Sequence, residues 1–113
     1  MKLAFIDYPV KDLKKSISFY RDTMGFEEAW REGDHTVAFK LPGSDIQLMI
    51  ENDEYGTGPG AVFLVESVDQ FFVERNAQLH FVKEPVDIPP GRYAIFQDLD
   101  GNLIRILDFT NDR

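Results

Sequence analysis

The chain has 113 residues, 43% hydrophobic and 28% charged, enough for one packed domain and too short for two independent ones. Twenty acidic residues against twelve basic ones give a net charge of −8, spread over both halves. That argues against a nucleic-acid partner, because phosphate binding needs a concentrated basic face. No cysteine is present, so disulfides and thiolate zinc sites are excluded.

The opening "MKLAFIDYPV" is interrupted by Asp7 and Pro9 before it could form a signal-peptide core, and no apolar run approaches ~18 residues. The expectation is a cytoplasmic protein with no membrane partner. "LAFIDYPV" has the pattern of a strand, and "KDLKKSISFYRDTM" places Leu13, Ile17 and Tyr20 at helical spacing. Asp12 is the expected N-cap of that helix, and Gly25 stands at its C′ position. Three strand-like runs follow, "FEEAWR", "TVAFKL" and "DIQLMIE", separated by "EGD" and "PGS" turns. "ENDEYGTGPG", residues 51–60, is loop chemistry and is expected to link two halves.

The second half repeats the βαβββ order. "AVFLV" predicts a strand and "SVDQFFVERNA" a short helix capped by Ser67. "HFVKEP", "RYAIFQ" and "LIRILDF" predict three more strands. An offset of 55 residues superposes Val10 on Val65, Leu13 on Val68, Met24 on Leu79 and Phe26 on Phe81. An offset of 58 superposes Gly43 on Gly101 and Gln47 on Arg105. The three extra residues are assigned mostly to an insertion at "DIPPG". Internal duplication accounts best for the sequence, giving a single domain over 1–113 of two pseudo-repeats, about 1–54 and about 58–113.

One such unit leaves an apolar sheet face wet, so the expected fold class is α+β, with the two modules curling their sheets into a cup and the helices outside. Strand alternation then sends Phe5, Asp7 and Pro9 into the cup from the first strand, and Gln47, Met49 and Glu51 from the fourth. Gly60, Val62 and Leu64 face inward from the fifth strand; Arg105, Leu107 and Phe109 do so from the eighth. Trp30 is a further candidate from the second strand.

"FQDLDGNLIRIL", residues 96–107, admits two readings. Asp98, Asp100 and Asn102 around Gly101 resemble a calcium loop, or they form the tight corner between two strands. A calcium loop needs a third acid before its glycine and a bidentate Glu further on, and this series lacks them. The corner reading prevails, with Asp and Asn side chains bonding nearby backbone.

"VKDLKKSISFYRDTMGF" is similar to the opening helix of the vicinal oxygen chelate superfamily, which includes glyoxalase I, extradiol dioxygenases, fosfomycin-modifying enzymes and bleomycin-resistance proteins. "DLDGNLIRIL" resembles that superfamily's closing corner, with Leu99 where a proline is usual. The resemblance covers nearly the whole chain and implies its fold. It also implies four metal-ligand positions, one each in the first, fourth, fifth and eighth strands, typically His or Gln, Glu, His and Glu. By motif spacing these are Phe5, Gln47, Gly60 and Arg105 here. Phe5 and Gly60 carry no donor atom, and the Arg105 guanidinium is a fixed cation that repels a divalent ion. The two histidines, His35 and His80, fall on none of these positions. No metal and no cofactor are therefore expected.

The candidate ligand-binding set is Phe5, Asp7, Trp30 and Gln47, with Met49, Glu51, Arg105 and Leu107; Val62 shares the hollow. Arg105 is too costly to bury unpaired, so Asp7, Glu51 or a ligand anion must answer it. No nucleophile with a partnered base is visible, and no catalytic residue is assigned. The first functional expectation is a glyoxalase/bleomycin-resistance-like protein that binds a small organic ligand without a metal, sequestering an antibiotic or metabolite. The alternatives are a glyoxalase- or lyase-type enzyme and a module whose hollow is filled by its own side chains. Exposed sheet edges favour a homodimer, and whether modules pair within or between chains stays open.

Overall fold

A computed structural model describes residues 1–52 and 58–111. By internal contacts the chain divides into Ala4–Pro59, and Gly60–Arg113 with Met1–Leu3. Part of the expected linker, residues 53–57, lies outside the described residues. The fold class is α+β: each half is a βαβββ module with a four-stranded mixed sheet and helical structure packed on one face.

In the first module, β1 (Lys2–Val10) leads into α1 (Leu13–Ser18) and a π-helical turn (Phe19–Thr23), followed by β2 (Glu27–Glu32), β3 (Thr36–Lys40) and β4 (Gln47–Asn52). The strands lie in the order β2-β3-β4-β1, with β1 parallel to β4 and the other neighbours antiparallel. Asp12 caps α1 as expected, its carboxylate accepting the Lys15 N–H at 3.1 Å. The single helix expected over this stretch ends at Ser18. The widened turn after it bonds Met24 N–H to the Phe19 carbonyl at 2.9 Å. It carries Tyr20 onto Phe26 and Phe39, with ring centroids 6.5 and 5.8 Å away. Burial raises the Tyr20 hydroxyl above its ordinary pKa, with a smaller push from Tyr8. Gly25, at φ 78°, then reverses the chain. The core under the helix is Ile17, Val37, Phe39 and Ile50, flanked by Val10, Leu13, Tyr20 and Phe26.

The second module contains β5 (Gly60–Leu64), α2 (Val68–Arg75), β6 (His80–Ile88), β7 (Gly91–Gln97) and β8 (Leu103–Leu107), in the strand order β5-β8-β7-β6. Its core of Val68, Ala94, Phe96 and Ile106 recruits Phe63, Val65, Phe71, Leu79, Phe81 and Ile104. Val10 and Val65, Leu13 and Val68, and Phe26 and Phe81 hold matching places in the two cores, as the repeat implies. Ser67 caps α2 through the Gln70 N–H at 3.1 Å, the counterpart of Asp12. The expected "DIPPG" insertion is only partly a loop: β6 runs on through Ile88, and register shifts between Phe81 and Val86 absorb extra residues as bulges. Pro85 sits within that irregular stretch, where the ladder does not need its missing N–H.

Asp108 ties the second module together. Its fully buried carboxylate accepts N–H groups from Val68 (2.7 Å), Arg92 (2.8 Å) and Thr110 (3.2 Å), and the Thr110 hydroxyl at 2.8 Å. One side chain thus joins the start of α2, the start of β7 and the chain beyond β8. A Cβ on Gly91 would collide with Asp108 Oδ1 and its carbonyl oxygen, so the close approach requires glycine. Among the described residues no helix is long and apolar enough to cross a membrane.

Burial pushes the Asp108 carboxyl up, but the hydrogen bonds from Val68, Thr110 and Arg92 together outweigh it and hold the group below the usual carboxylate range. A depressed folded-state pKa means that the unfolded chain takes up the proton first. Stability from this group is complete above the unfolded value of about 3.9 and fades as pH falls through the folded value. Asp108→Asn should therefore cost roughly 2 kcal/mol near neutral pH, and the deficit should shrink below about pH 4. Urea unfolding across pH measures this; a deficit independent of pH would refute the assignment.

Candidate functional site

In the first module the face opposite the helix is set by strand register. Phe5 pairs with Gln47, Asp7 with Met49 and Pro9 with Glu51 along β1 and β4. Across β3 the partners of Gln47, Met49 and Glu51 are Lys40, Ala38 and Thr36, and Trp30 of β2 lies opposite Ala38. Alternation places all of these side chains on one face. All six first-module candidates therefore share one wall. Asp7 is fully buried, Met49 is 7% exposed, and Glu51 is half-buried further along the strand.

Three of them form a unit. The Phe5 and Trp30 rings meet edge to face, centroids 5.7 Å apart at 86°. The Trp30 indole N–H donates to Gln47 Oε1 at 2.9 Å. An indole nitrogen can only donate, so the carboxamide must present oxygen to it, and the Gln47 NH₂ group points elsewhere. The small Ala38 opposite Trp30 leaves room for the indole.

Beside Gln47 opens a cleft of about 490 Å³, within the range of small-molecule sites. It is lined by Gly25, Phe26 and Glu27 before and in β2, Lys40, Leu41 and Pro42 at the end of β3, and Ser44, Asp45 and Gln47 leading into β4. The Lys40 ammonium pairs with Glu27 at 3.3 Å, and both side chains are well exposed. Lys40 was absent from the sequence-based candidates. The signal was present in "TVAFKL", where alternation from Thr36 and Ala38 puts Lys40 on the same face.

In the second module, Arg105 and Leu107 lie on the face opposite α2, with Val62 and Leu64 beside them on β5 and Ile95 and Tyr93 on β7. Arg105 is fully buried. A Cβ built on Gly60 would lie 2.6 Å from Arg105 Nη1 and 2.8 Å from the Leu103 carbonyl oxygen, so the guanidinium occupies the space that a side chain at position 60 would need. Phe109, expected to face inward, lies beyond the end of β8 and is 45% exposed.

One correspondence drawn from spacing changes. Gln47 is registered with Phe5, but Arg105 is registered with Val62, two residues beyond Gly60. A two-residue slide preserves facing because the pleat has period two, so spacing alone could not detect it. Val62, like Gly60, offers no donor atom. The remaining candidate ligand, Gln47, has its oxygen engaged by Trp30. The metal of the superfamily's metal-dependent members does not fit this set of residues. Among the described residues no three His, Cys, Asp or Glu side chains gather as a metal site would require.

His35 is exposed in the turn between β2 and β3, and His80 is exposed at the start of β6. The "DLDGN" stretch is a corner. Asp98 accepts the backbone N–H groups of Asp100 (2.9 Å) and Asn102 (2.8 Å) and the Asn102 amide at 2.8 Å, with Gly101 at φ 85°. The bond from the Asn102 side chain, followed by those from the backbone, holds the Asp98 carboxyl below its ordinary pKa.

The model of the Glyoxalase/Bleomycin resistance protein/Dioxygenase superfamily matches residues 2–106, and the chain belongs to that superfamily. No curated protein matches the sequence. Among solved structures, the chain is similar to methylmalonyl-CoA epimerase from Mycobacterium tuberculosis, at 25% identity over 95% of this chain and 87% of that one, with a TM-score of 0.68. It is similar to a glyoxalase/bleomycin resistance protein/dioxygenase superfamily member from Vibrio splendidus 12B01, at 22% identity over 92% and 96% of the two chains, TM-score 0.66. A Legionella pneumophila structure described as NAD-dependent benzaldehyde dehydrogenase gives a TM-score of 0.77 at 18% identity over 94% and 98%. At their identities the last two likenesses speak for the fold alone.

Gly60→Ala tests the packing around Arg105. The added methyl meets a guanidinium and a backbone carbonyl, and the substitution should cost about 1 to 3 kcal/mol of stability. Chemical denaturation reads this directly; a change within about 0.5 kcal/mol, the ordinary range for an uncrowded surface site, would contradict the geometry.

Proposed function

We propose that this protein binds a small organic ligand without a metal, as a glyoxalase/bleomycin-resistance-like protein that sequesters an antibiotic or a metabolite. The observation that carries the reading is the chemistry of the residue set, in which Phe5, Gly60 and Arg105 offer no electron pair to a cation and the oxygen of Gln47 already accepts a bond. Of the four residues that spacing assigns to the superfamily's ligand positions, only Gln47 has a donor suited to a cation, and Trp30 already bonds it. Phe5 and Trp30 supply an aromatic wall, and the neighbouring cleft has the size of a small-molecule site. Apolar rings with a few oriented polar groups are the usual makeup of such sites. The ligand-binding set is Phe5, Asp7, Trp30, Gln47, Met49 and Glu51 in the first module, and Arg105 and Leu107 in the second.

A second reading, a glyoxalase- or lyase-type enzyme that works without a metal, draws support from the likeness to methylmalonyl-CoA epimerase. In that reading a carboxylate such as Asp7 or Glu51 serves as the base. Turnover of a carboxylate-bearing substrate in the presence of chelator, abolished in Asp7→Asn, would favour it over binding alone.

The test is elemental analysis of the purified protein combined with thermal-shift measurements. The reading predicts no stoichiometric divalent ion and a melting temperature unmoved by chelator. It also predicts a rise in melting temperature with some member of a panel of organic acids and aromatic cations. At about 100 times its Kd, a ligand adds roughly 2.7 kcal/mol, enough to be read easily. A bound stoichiometric metal, or silence across the whole panel, would overturn it.

A further inference from the structure

The cleft beside Gln47 has a polarity that fixes what it can bind. Because the Trp30 N–H holds Gln47 Oε1, the group that Gln47 can offer a ligand is its NH₂, a pure donor. Lys40 is the direct ladder partner of Gln47 and carries its ammonium on the same face. Two donors, one of them cationic, thus stand side by side on adjacent strands, and both line the cleft.

The present partner of Lys40 is Glu27, its neighbour across β2 and β3, at 3.3 Å. Their side chains are 59% and 75% exposed, and an exposed pair of this kind is held weakly. A ligand oxyanion can therefore replace Glu27 at small cost, in a charge-assisted hydrogen bond. Phe26, Leu41 and Pro42 give the cleft an apolar side. Glu27 and Asp45 also line it and oppose any anion, so that the single ammonium of Lys40 can answer one anionic group and ligands with more are disfavoured.

We propose that this cleft binds a small monocarboxylic acid with an apolar body, its carboxylate held by Lys40 Nζ and the Gln47 NH₂ group and its body against Leu41 and Pro42. This inference rests on the metal-free binding reading and names the ligand class for it. Trp30 becomes a positioning residue, since it acts by fixing which end of the Gln47 amide meets the ligand.

The protein has one tryptophan, so its fluorescence reports on this wall. Benzoate, benzamide and benzylamine share a ring and differ in charge, and each is titrated into the full chain while Trp30 emission is followed. Benzoate should give a saturable change, with benzamide and benzylammonium at least about tenfold weaker. Lys40→Met should weaken benzoate about tenfold, Lys40→Arg should largely retain it, and both should melt near the wild-type temperature because Lys40 is exposed. A preference for benzylammonium, equal benzoate affinity in wild type and Lys40→Met, or no response to benzoate would each overturn the assignment. A ligand found in the thermal-shift panel that binds as a cation, insensitive to Lys40→Met, would leave metal-free binding standing and remove the carboxylate site. Stoichiometric metal in a protein whose benzoate binding still needs Lys40 would do the reverse.

Discussion

An indole N–H has no lone pair to offer, so any partner must meet it with an acceptor, and in this protein that partner is Gln47. The bond does two things at once. It occupies one of the two lone pairs of the oxygen through which a glutamine would coordinate a cation, and it turns the amide hydrogens away from the indole as donors. Phe5 closes edge-on against the same indole, so the ring that orients the amide is itself held in place. The character of this part of the first module's face opposite the helix follows from this arrangement. A wall that relatives of the metal-dependent kind line with electron-pair donors is here aromatic, with hydrogen-bond donors at one end.

The second module makes a comparable change by different means. A guanidinium stands in the eighth strand, and the absence of a side chain at Gly60 makes room for it. Just past the end of the same strand, Asp108 gathers backbone donors from three segments and needs Gly91 for its own clearance. Arg105 and Asp108 both rely on glycine in a neighbouring strand. Their roles differ. Asp108 serves the fold, bonding backbone of Val68 and Arg92 and both donors of Thr110, whereas Arg105 lies on the face of its module opposite α2.

Much of the fold could be read directly from residues. Asp12 and Ser67 cap the two helices because their short oxygens suit the first turn, and the spacing between them is the spacing of the repeat. The Asp98 corner was legible for the same reason: its side chain satisfies backbone that the turn leaves open. What escaped was register. "DIPPG" looks like a loop insertion, yet β6 runs on through Ile88, and the bulges around Pro85 tolerate its missing donor. The pairing of Arg105 with Val62 was likewise invisible, because a slide of two residues changes no facing pattern. The wall residues Phe5, Gln47 and Met49 were found because alternation depends only on parity. Lys40 obeys the same parity, and its pairing with Gln47 depends on a register that alternation does not give.

Whether Gln47 is engaged by tryptophan or free for a cation is the point on which the account turns, and paramagnetic NMR answers it. Substoichiometric Mn²⁺ added to ¹⁵N-labelled protein broadens the resonances of any group near a bound ion. The account predicts that the Trp30 indole and Gln47 carboxamide signals stay sharp at concentrations that leave the rest of the spectrum unchanged. Selective loss of those two signals, reversed by chelator, would contradict it.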